Sequence, residues 1–429
     1  MLVERLPEAV GYNGSRLSSL MLSHLIALVV FSGTYVGLAL GRLPLFRVDR
    51  TGVAIIGAVA MVAGGVIPWD EAVAAVDVHT LALLFGMMIV AAYLRLSGFF
   101  VLVTAWTVRR ARTPVTLLAA VVAVSGVLSA LFVNDIVCLV LAPLVVELVR
   151  QLRLPPLPYL IALATASNVG SVATLTGNPQ NMLVGSFSGI AYRTFLLREA
   201  PVAIAGLLVV FLAVWLVYRE ALSGNLSAVP LDDRFRVHQV LMVKTSLVVL
   251  AMLVGFVAGV PIALVALAGA AYTLLTRRVK PEKVYREINW PLLALFTGLF
   301  VVIRGVEVTG LTQSLLRVAE AMGLQRPLVL TAATAALSNV VSNVPAVLLL
   351  RPVVAELAEP SRAWLVVAMA STLAGNLTLL GSVANLIVVE VARSARIRIG
   401  FLEYCRVGVP LTLATLVLGW LMLSLLPSP

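Results

Sequence analysis

The sequence predicts an all-α polytopic membrane protein made of two inverted repeats, each with five transmembrane helices, a re-entrant helical hairpin and a discontinuous helix. Composition is the first reason: 61% of the 429 residues are hydrophobic and 12% are charged, against roughly 25% charged in soluble domains. The second is a duplication, since residues 129–148 (SALFVNDIVCLVLAPLVVEL) match residues 338–357 (SNVVSNVPAVLLLRPVVAEL) without a gap at eight of twenty positions. The third is that polar residues interrupt apolar segments at corresponding places in both copies, and lipid tolerates such interruptions only where protein or a cavity receives them.

Each half of the chain offers five spans of the roughly 20 residues that a helix needs to cross a bilayer. After an N-terminal segment 1–17, the first repeat (18–220) has spans at 18–40, 51–68, 79–98, 157–186 and 200–218. A polar linker, 221–238, leads to the second repeat (239–429), whose spans are 239–258, 261–276, 289–308, 362–390 and 406–426. Because the number of crossings per half is odd, the second repeat is predicted to enter the membrane upside down.

Two shorter apolar arms lie between the third and fourth crossings of each half. They are 114–131 with 136–149, inside a hairpin at 114–149, and 328–340 with 345–357, inside a hairpin at 328–357. Each pair is predicted to be a re-entrant hairpin with an asparagine at its tip. If an arm pair crossed the membrane fully, the count would rise by two per half and the parity would stay odd. The helices at 157–186 and 362–390 are predicted to be broken near their middles.

The net charge of +11 comes from basic residues in the short gaps between spans. Nucleic-acid binding needs clustered basic residues on a soluble face. The positions of these basic residues are therefore better explained by membrane topology. Arg109, Arg110 and Arg112 indicate a cytoplasmic loop, whereas the loop at 69–78 is acidic. We therefore expect an integral protein of the cell (inner) membrane with both termini outside. The two cysteines predict neither a disulfide framework nor a thiolate metal site.

Hairpin tips and helix breaks are the candidate binding site. Helix ends leave N–H and C=O groups unpaired, and a bound ion or solute can satisfy them. The candidate substrate- and ion-binding residues of the first half are Asn134, Asp135, Ser171, Thr174, Thr176, Gly177 and Asn178, followed by Pro179, Gln180 and Asn181. Those of the second half are Ser342, Asn343, Gly375, Asn376, Thr378, Gly381 and Ser382, followed by Asn385. The alternative is that these small polar residues only cement helix packing.

Asp135 is the one carboxylate at either tip, because its repeat partner is Val344. An ionisable group inside a membrane is a functional hypothesis by default. We expect Asp135 to be the coupling carboxylate, as a cation ligand or a proton carrier. The alternative is a cap of the following helix. Arg304 and Glu307, three residues apart, are interpreted as a structural pair.

The pattern FVNDIVCLVLAPLV followed by ASNVGSVATLTGNPQNML, with its echo SNVVSNVPAVLLLRP followed by STLAGNLTLLGSVANLI, resembles the ion transporter superfamily. That superfamily includes arsenical pump membrane proteins, divalent anion/sodium symporters and one type of Na+/H+ antiporter. The resemblance covers the chain from about residue 20 to the end. It implies alternating access, with coupling H+ or Na+ and no other cofactor. Sodium, as the coupling ion, would bind at Asn134, Gly177 and Asn178 and at Asn343, Asn376 and Gly381.

Substrate choice rests on the tips. A chain that resembles the dicarboxylate branch would have Ser-Asn-Thr at both tips. This chain has Val133-Asn134-Asp135 and Ser342-Asn343-Val344 instead. The Asn-Asp tip is more similar to the arsenical pump branch. The leading expectation is therefore a secondary active transporter that exports arsenite or antimonite, or moves a small inorganic oxyanion, with a separate ATPase subunit if the chain is an arsenical pump.

Several alternatives stay open. They are a Na+-coupled di/tricarboxylate or sulfate symporter, a Na+/H+ antiporter and, more remotely, an ion channel. No enzyme is expected, because the sequence has neither a nucleophile with its base nor a HExxH motif. It also has no GxxxxGK[ST] motif, so any pumping would be secondary or rely on a separate ATPase subunit. The expected partners are a small solute or ion and the lipid bilayer, without nucleic acid, and a homodimer is one open state of assembly.

Overall fold

A computed structural model describes residues 7–41, 47–224, 226 and 237–425. Every regular element in that part of the chain is a helix, and there are twenty of them. The predicted all-α class is thus confirmed. Most of the predicted linker 221–238 and residues 1–6 of the predicted N-terminal segment lie outside the described residues.

The two halves have the same order of helices. The first ten are α1 (Pro7–Leu40), α2 (Arg50–Ala63), α3 (Trp69–Ala74), α4 (Val78–Ser97), α5 (Phe99–Arg110), α6 (Pro114–Leu131), α7 (Asn134–Gln151), α8 (Pro156–Ser171), α9 (Pro179–Ser188) and α10 (Tyr192–Tyr218). The second ten are α11 (Gln239–Val257), α12 (Ile262–Leu274), α13 (Pro281–Tyr285), α14 (Trp290–Val308), α15 (Leu311–Met322), α16 (Pro327–Val341), α17 (Asn343–Val354), α18 (Pro360–Ala374), α19 (Val383–Ser394) and α20 (Phe401–Leu425).

Seven of the described helices can each cross a bilayer by length and composition, namely α1, α4, α6, α10, α11, α14 and α20. The helices α2, α12, α16 and α17 are shorter and apolar. The predicted discontinuous helices are the pairs α8–α9 and α18–α19, and the predicted hairpins are α6–α7 and α16–α17. The chain is a polytopic membrane protein. Inverted insertion of its second half stays a prediction from the odd number of crossings.

Helix boundaries follow local chemistry. Proline opens α6, α8, α9, α16 and α18, where its missing N–H costs nothing and its φ suits the first turn. The span expected at 51–68 is shorter, because α2 ends at Ala63 and Gly65 follows with φ +70°. Helix α1 already begins at Pro7, ahead of the span expected at 18–40.

Two pairs of short helices were not predicted. Helices α5 and α15 lie between the third span and the hairpin of each half, and α3 and α13 precede the third span. All four are too short to cross a bilayer, so a search for apolar spans misses them. Their occurrence at equivalent places strengthens the repeat relation.

The chain forms two compact units, and neither coincides with a repeat. The first comprises Met1–Val78, Trp290–Gln325 and Leu348–Glu356, and the second comprises His79–Asn289, Arg326–Val347 and Leu357–Pro429. Each unit therefore draws on both halves of the chain. All candidate binding residues belong to the second unit.

In the first unit, α2 packs closely on α14. A Cβ atom on Gly298 would lie 2.7 Å from the Ala54 carbonyl oxygen. The Arg304 guanidinium donates to Glu71 at 2.9 Å and to Glu307 at 3.2 Å. The predicted structural pair of Arg304 and Glu307 is thus present, with Glu71 as a further partner.

In the second unit, the helices pack reciprocally. Helix α8 contacts α6 and α10, as α18 contacts α16 and α20, while α9 contacts α18 and α19 contacts α8. A Cβ atom on Gly206 of α10 would lie 3.7 Å from Cγ2 of Thr415 on α20, its repeat partner. Such mutual exchange is what a two-fold relation between the halves generates.

Candidate functional site

The two helix breaks have the same hydrogen-bonded construction. In the first, Asn181 Nδ2 donates to the carbonyl oxygens of Ser171 at 3.1 Å and Thr174 at 2.9 Å. In the second, Asn385 Nδ2 donates to those of Gly375 at 2.8 Å and Thr378 at 3.2 Å. One asparagine side chain in each break thus satisfies carbonyl groups that the ended helix leaves without an intrahelical donor.

A glycine lets each break close on itself. A Cβ atom on Gly177 would lie 2.3 Å from the carbonyl oxygen of Ser171. A Cβ atom on Gly381 would lie 2.8 Å from that of Gly375. Both separations are shorter than real Cβ contacts, so any other residue would force the backbone of the break apart.

The residue after each break glycine caps the second helix segment. Asn178 Oδ1 accepts from the Asn181 N–H at 2.8 Å, and Ser382 Oγ accepts from the Ala384 N–H at 3.2 Å. Both caps satisfy a backbone donor in the first turn of a helix that begins inside the fold.

The breaks are tied to each other by matched contacts. Asn168 on α8 accepts from Ser382 Oγ at 3.0 Å and donates to Asn385 Oδ1 at 3.1 Å. Its repeat partner Thr372 on α18 accepts from Asn178 Nδ2 at 3.2 Å and donates to Asn181 Oδ1 at 3.4 Å. Each half therefore holds the break of the other half, and Gln180 adds a donor to Thr372 at 3.1 Å.

Asn168 is the centre of this network, although it is not among the residues predicted for the site. Besides the two bonds above, its Oδ1 accepts from Asn134 Nδ2 at 2.9 Å and its Nδ2 donates to Asn376 Oδ1 at 2.8 Å. The side chain is 1% exposed and uses both its donors and both its acceptor positions. The signal that could have found it is an amide in the middle of an apolar span.

The first hairpin tip contacts the first break. The Asn134 N–H donates to the Gly177 carbonyl oxygen at 3.0 Å, while its side-chain Oδ1 is buried without a partner in the described part of the chain. Asp135 is partly exposed, and no hydrogen bond or ion pair joins it to another described residue. The structure thus contains no capping hydrogen bond from Asp135.

The second tip is strained. Ser342 has φ 78° and ψ 160°, a region that is essentially reserved for glycine and costs about 1–3 kcal/mol. Asn343 Oδ1 is buried without a partner among the described residues. A Cβ atom on Gly375 would lie 3.4 Å from Asn343 Nδ2, so this tip faces the second break.

Some predicted site residues are engaged elsewhere. Thr174 Oγ1 donates to the Ala130 carbonyl oxygen at 2.5 Å, which ties the break to the end of α6. Thr176 Oγ1 lies 3.3 Å from the Tyr192 hydroxyl. Thr378 is half-buried, and of its atoms the backbone carbonyl takes part in the break. Packing is therefore the better interpretation for the Thr174 and Thr176 side chains.

The residues fit a sodium ion in part. The free side-chain oxygens of Asn134 and Asn343 are of the hard, neutral type that such a cation accepts, and an unpaired buried oxygen calls for an ion, a water or another partner. The side chains of Asn178 and Asn376 are instead occupied by the contacts described above. Within the described residues, no group of three His, Cys, Asp or Glu side chains is placed to hold a metal.

Comparison with known proteins agrees with this architecture. Residues 26–374 match the family described as CitMHS, citrate transporter. The silicon efflux transporter LSI3 of Oryza sativa is 31% identical, over 88% of this chain and 92% of that protein. The putative transporter arsB of Dictyostelium discoideum is 24% identical, over 87% of this chain and 86% of that protein.

A solved structure shares the fold. The YdaH transporter of Alcanivorax borkumensis superimposes with a TM-score of 0.62 at 18% identity, over 94% of this chain and 97% of that chain. The family match and the relatives named above confirm the predicted superfamily, and that family and those relatives are transporters rather than enzymes. This chain belongs to the citrate transporter family CitMHS of the ion transporter superfamily, and it is a membrane transporter.

Proposed function

We propose that this chain is a secondary active transporter for a small hydroxylated inorganic solute, such as arsenite, antimonite or a small oxyanion, driven by H+ or Na+ through alternating access. The observation that carries the proposal is the reciprocal bonding of Asn168 and Thr372 to the opposite helix break. Two equivalent half-sites built from broken helices are typical of transporters that expose one site alternately to each side.

The chemistry of the site supports a solute with little charge. Apart from Asp135, the candidate residues carry amides or hydroxyls or are glycine or proline, and none is a lysine or arginine. Amides and hydroxyls both donate and accept hydrogen bonds, as the hydroxyl groups of arsenite do. The names of two relatives, a silicon efflux transporter and a putative arsB transporter, point in the same direction.

Thiolate chemistry is a poor alternative for binding a metalloid. Cys138 lies one turn beyond the first tip, but its Sγ is 3.0 Å from Ser167 Oγ and the residue is buried. Cys405 is the only other cysteine, so three thiolates cannot assemble within one chain. We propose that the solute is held in its hydroxylated form.

For coupling, we propose that Asp135 binds the driving ion. Its carboxylate lies at the first tip next to Asn134, whose Oδ1 has no partner among the described residues. With sodium as the driving ion, the side-chain Oδ1 atoms of Asn134 and Asn343 would contribute ligands. With a proton, Asp135 would carry it.

A carboxylate symporter is the second candidate, because the matching family is described as citrate transporters. A molecule with several carboxylates is usually held by charge-assisted bonds from arginine or lysine. The candidate site offers only neutral donors, which favours the hydroxylated solute.

The test is transport by the purified chain in vesicles. Uptake of arsenite, antimonite, silicic acid, sulfate, phosphate, citrate and dicarboxylates is measured under separately imposed H+ and Na+ gradients. We expect saturable flux of a hydroxylated inorganic solute, loss of coupled flux in Asp135→Asn and impaired flux in Asn134→Ala and Asn343→Ala. Glu147→Gln, an exposed change on the same helix as Asp135, is the control. Saturable citrate flux alone would favour the second candidate, and normal coupling in Asp135→Asn would refute its role.

Loop charges support one membrane orientation, with both termini outside the cell membrane. Labelling of single cysteines introduced at residues 70 and 112, both of which are exposed, with a membrane-impermeant reagent tests it. We expect the first to react from outside and the second only after permeabilisation, and the reverse pattern would overturn the orientation.

A further inference from the structure

Glu199 is a carboxylate in the interior of α10 that the site described above does not use. It is 0% exposed, and both its carboxylate oxygens lack a hydrogen-bond partner among the described residues. An ionised carboxylate buried with neither a counter-charge nor a donor is strongly destabilising, whereas the neutral acid is far less so. Burial without a partner therefore favours the protonated form.

The face of α10 that carries Glu199 lies against the first helix break. Residues seven apart share a helix face, which places Tyr192, Glu199 and Gly206 in one row. The Tyr192 hydroxyl lies 3.3 Å from Thr176 Oγ1, and a Cβ atom on Gly206 would lie 2.7 Å from the side chain of Val169. This spacing places Glu199 between the two contacts, opposite the stretch from Val169 to Thr176 in which α8 ends at Ser171 and the break begins.

The second half indicates what this position faces. Pro201 of α10 and Pro410 of α20 align at the same displacement of 209 residues as the hairpins, so Gly408 is the counterpart of Glu199. A Cβ atom on Gly408 would lie 2.5 Å from the Asn376 carbonyl oxygen, inside the second break. The same position therefore meets a break in both halves, and only the first half has an acid there.

Among the described residues, no neighbouring charge is paired with Glu199. Helices α6, α8, α11, α18 and α20 pack against α10. Their titratable residues are Tyr159 on α8, Lys244 on α11, Arg362 on α18 and Glu403, Tyr404, Cys405 and Arg406 on α20, and α10 itself adds Tyr192, Arg193, Arg198 and Tyr218.

Most of these groups have other partners. Tyr159 donates to the Pro114 carbonyl oxygen at 3.1 Å, Lys244 to that of Leu275 at 2.6 Å and Tyr218 to Glu403 at 2.5 Å. Arg362 pairs with Glu359 at 3.0 Å. In the described part of the chain, none of the groups forms a hydrogen bond or an ion pair with Glu199.

We propose that Glu199 is a proton-binding site behind the first helix break, protonated in this conformation and deprotonated when movement of the break admits water. In that step the O–H bond of the acid breaks, the proton passes to water and the carboxylate remains; rebinding reverses it. This role rests on the proposed function, because the proton that Glu199 binds and releases would be one that drives H+-coupled transport. Asp135 is the proposed ion-binding group at the first tip, whereas Glu199 is a second proton-binding group that responds to the position of the break.

Protonation is measured first, without any solute. Infrared spectra of the purified protein are expected to contain a protonated-carboxyl C=O band that Glu199→Gln removes and Glu403→Gln keeps. Dicyclohexylcarbodiimide, which reacts with protonated carboxyl groups in apolar surroundings, is expected to modify Glu199 in the wild-type chain, as located by peptide mass mapping. Labelling needs no variant, so a folding defect of Glu199→Gln leaves the site testable. An unlabelled Glu199, or a band that the substitution leaves unchanged, would overturn the proposal.

Coupling is measured second, in vesicles. We expect Glu199→Gln, which imitates the neutral acid, to keep exchange of solute across the membrane and to lose accumulation driven by a proton gradient, with Glu403→Gln behaving as wild type. Unchanged proton-driven accumulation in Glu199→Gln would refute the coupling role. If the wild-type chain moves none of the solutes, the proposed function fails, while labelling and infrared spectra still decide whether Glu199 holds a proton.

Discussion

Replacing Asn168 with alanine removes four hydrogen bonds at once from the place where the two helix breaks meet. The Asn134 Nδ2 and Asn376 Oδ1 atoms each have Asn168 as their partner and would be left unpaired in a buried site. At about 1–3 kcal/mol for each buried group without a partner, these two atoms alone predict a loss of about 2–6 kcal/mol in the free energy of unfolding. Water entering the vacated space would move the value towards the lower end.

The control is Thr165→Val on the same helix. Thr165 is 0% exposed and its Oγ1 donates only within α8, to the carbonyl oxygens of Ile161 at 2.7 Å and Ala162 at 3.4 Å. Those carbonyls keep their places in the helix, so we expect a loss below about 1 kcal/mol. Asn168→Asp separates the two ends of the amide, since it keeps the acceptor and removes both donors.

Stability is measured by equilibrium unfolding of the purified protein in mixed micelles with a rising fraction of denaturing detergent. The expected order is wild type and Thr165→Val together, followed by the two Asn168 variants at lower stability. If Asn168→Ala unfolds within about 1 kcal/mol of Thr165→Val, near the net worth of one hydrogen bond, the network around Asn168 does not hold the breaks together.

Three further predictions concern single positions. Gly177→Ala should abolish recovery of folded protein after detergent extraction, because its Cβ would lie 2.3 Å from the Ser171 carbonyl oxygen; Gly33→Ala, with no atom within 4 Å, should be recovered normally, and equal recovery would contradict the packing argument. Ser342→Gly should stabilise the protein by about 1 kcal/mol by relieving the positive φ, measured by the same unfolding assay, whereas no gain would mean that the tip is unstrained. Arg304→Gln should lower the free energy of unfolding by less than about 1 kcal/mol, because partly exposed ion pairs contribute little. A larger loss in the unfolding assay would contradict this expectation.

Much of the fold follows from local patterns in the chain. Apolar length predicts the long spans, and the repeated Gly and Asn residues predict both breaks within a few positions of their observed ends at Ser171 and Ala374. Gly177 and Gly381 were predicted from residue type alone, and the structure supplies the reason, a carbonyl oxygen where a Cβ would stand. The short helices α5 and α15 are not predicted, because they are neither long nor uniformly apolar.

The site was predictable only as a set of segments. Asn168 lay in one of the quoted motifs, but nothing in its neighbourhood distinguishes an amide that meets Asn376 from one that packs within its own helix. Thr174 and Thr176 show the converse, since residues of the expected type turned out to bond to the end of α6 and to Tyr192. Glu199 is not among the predicted site residues for a related reason, because its burial depends on which face of α10 meets the break.

The amino-acid sequence by itself determined that this protein lies in a membrane, that it is duplicated and where its helices are interrupted, because hydrophobicity and repetition are read along the chain. Only the tertiary structure decided that each compact unit contains parts of both repeats and that each half forms hydrogen bonds to the break of the other. It also decided that Glu199 is buried without a hydrogen-bond partner among the described residues. Those outcomes depend on contacts between residues up to about two hundred positions apart, and such contacts are set by packing angles and side-chain direction rather than by any local period.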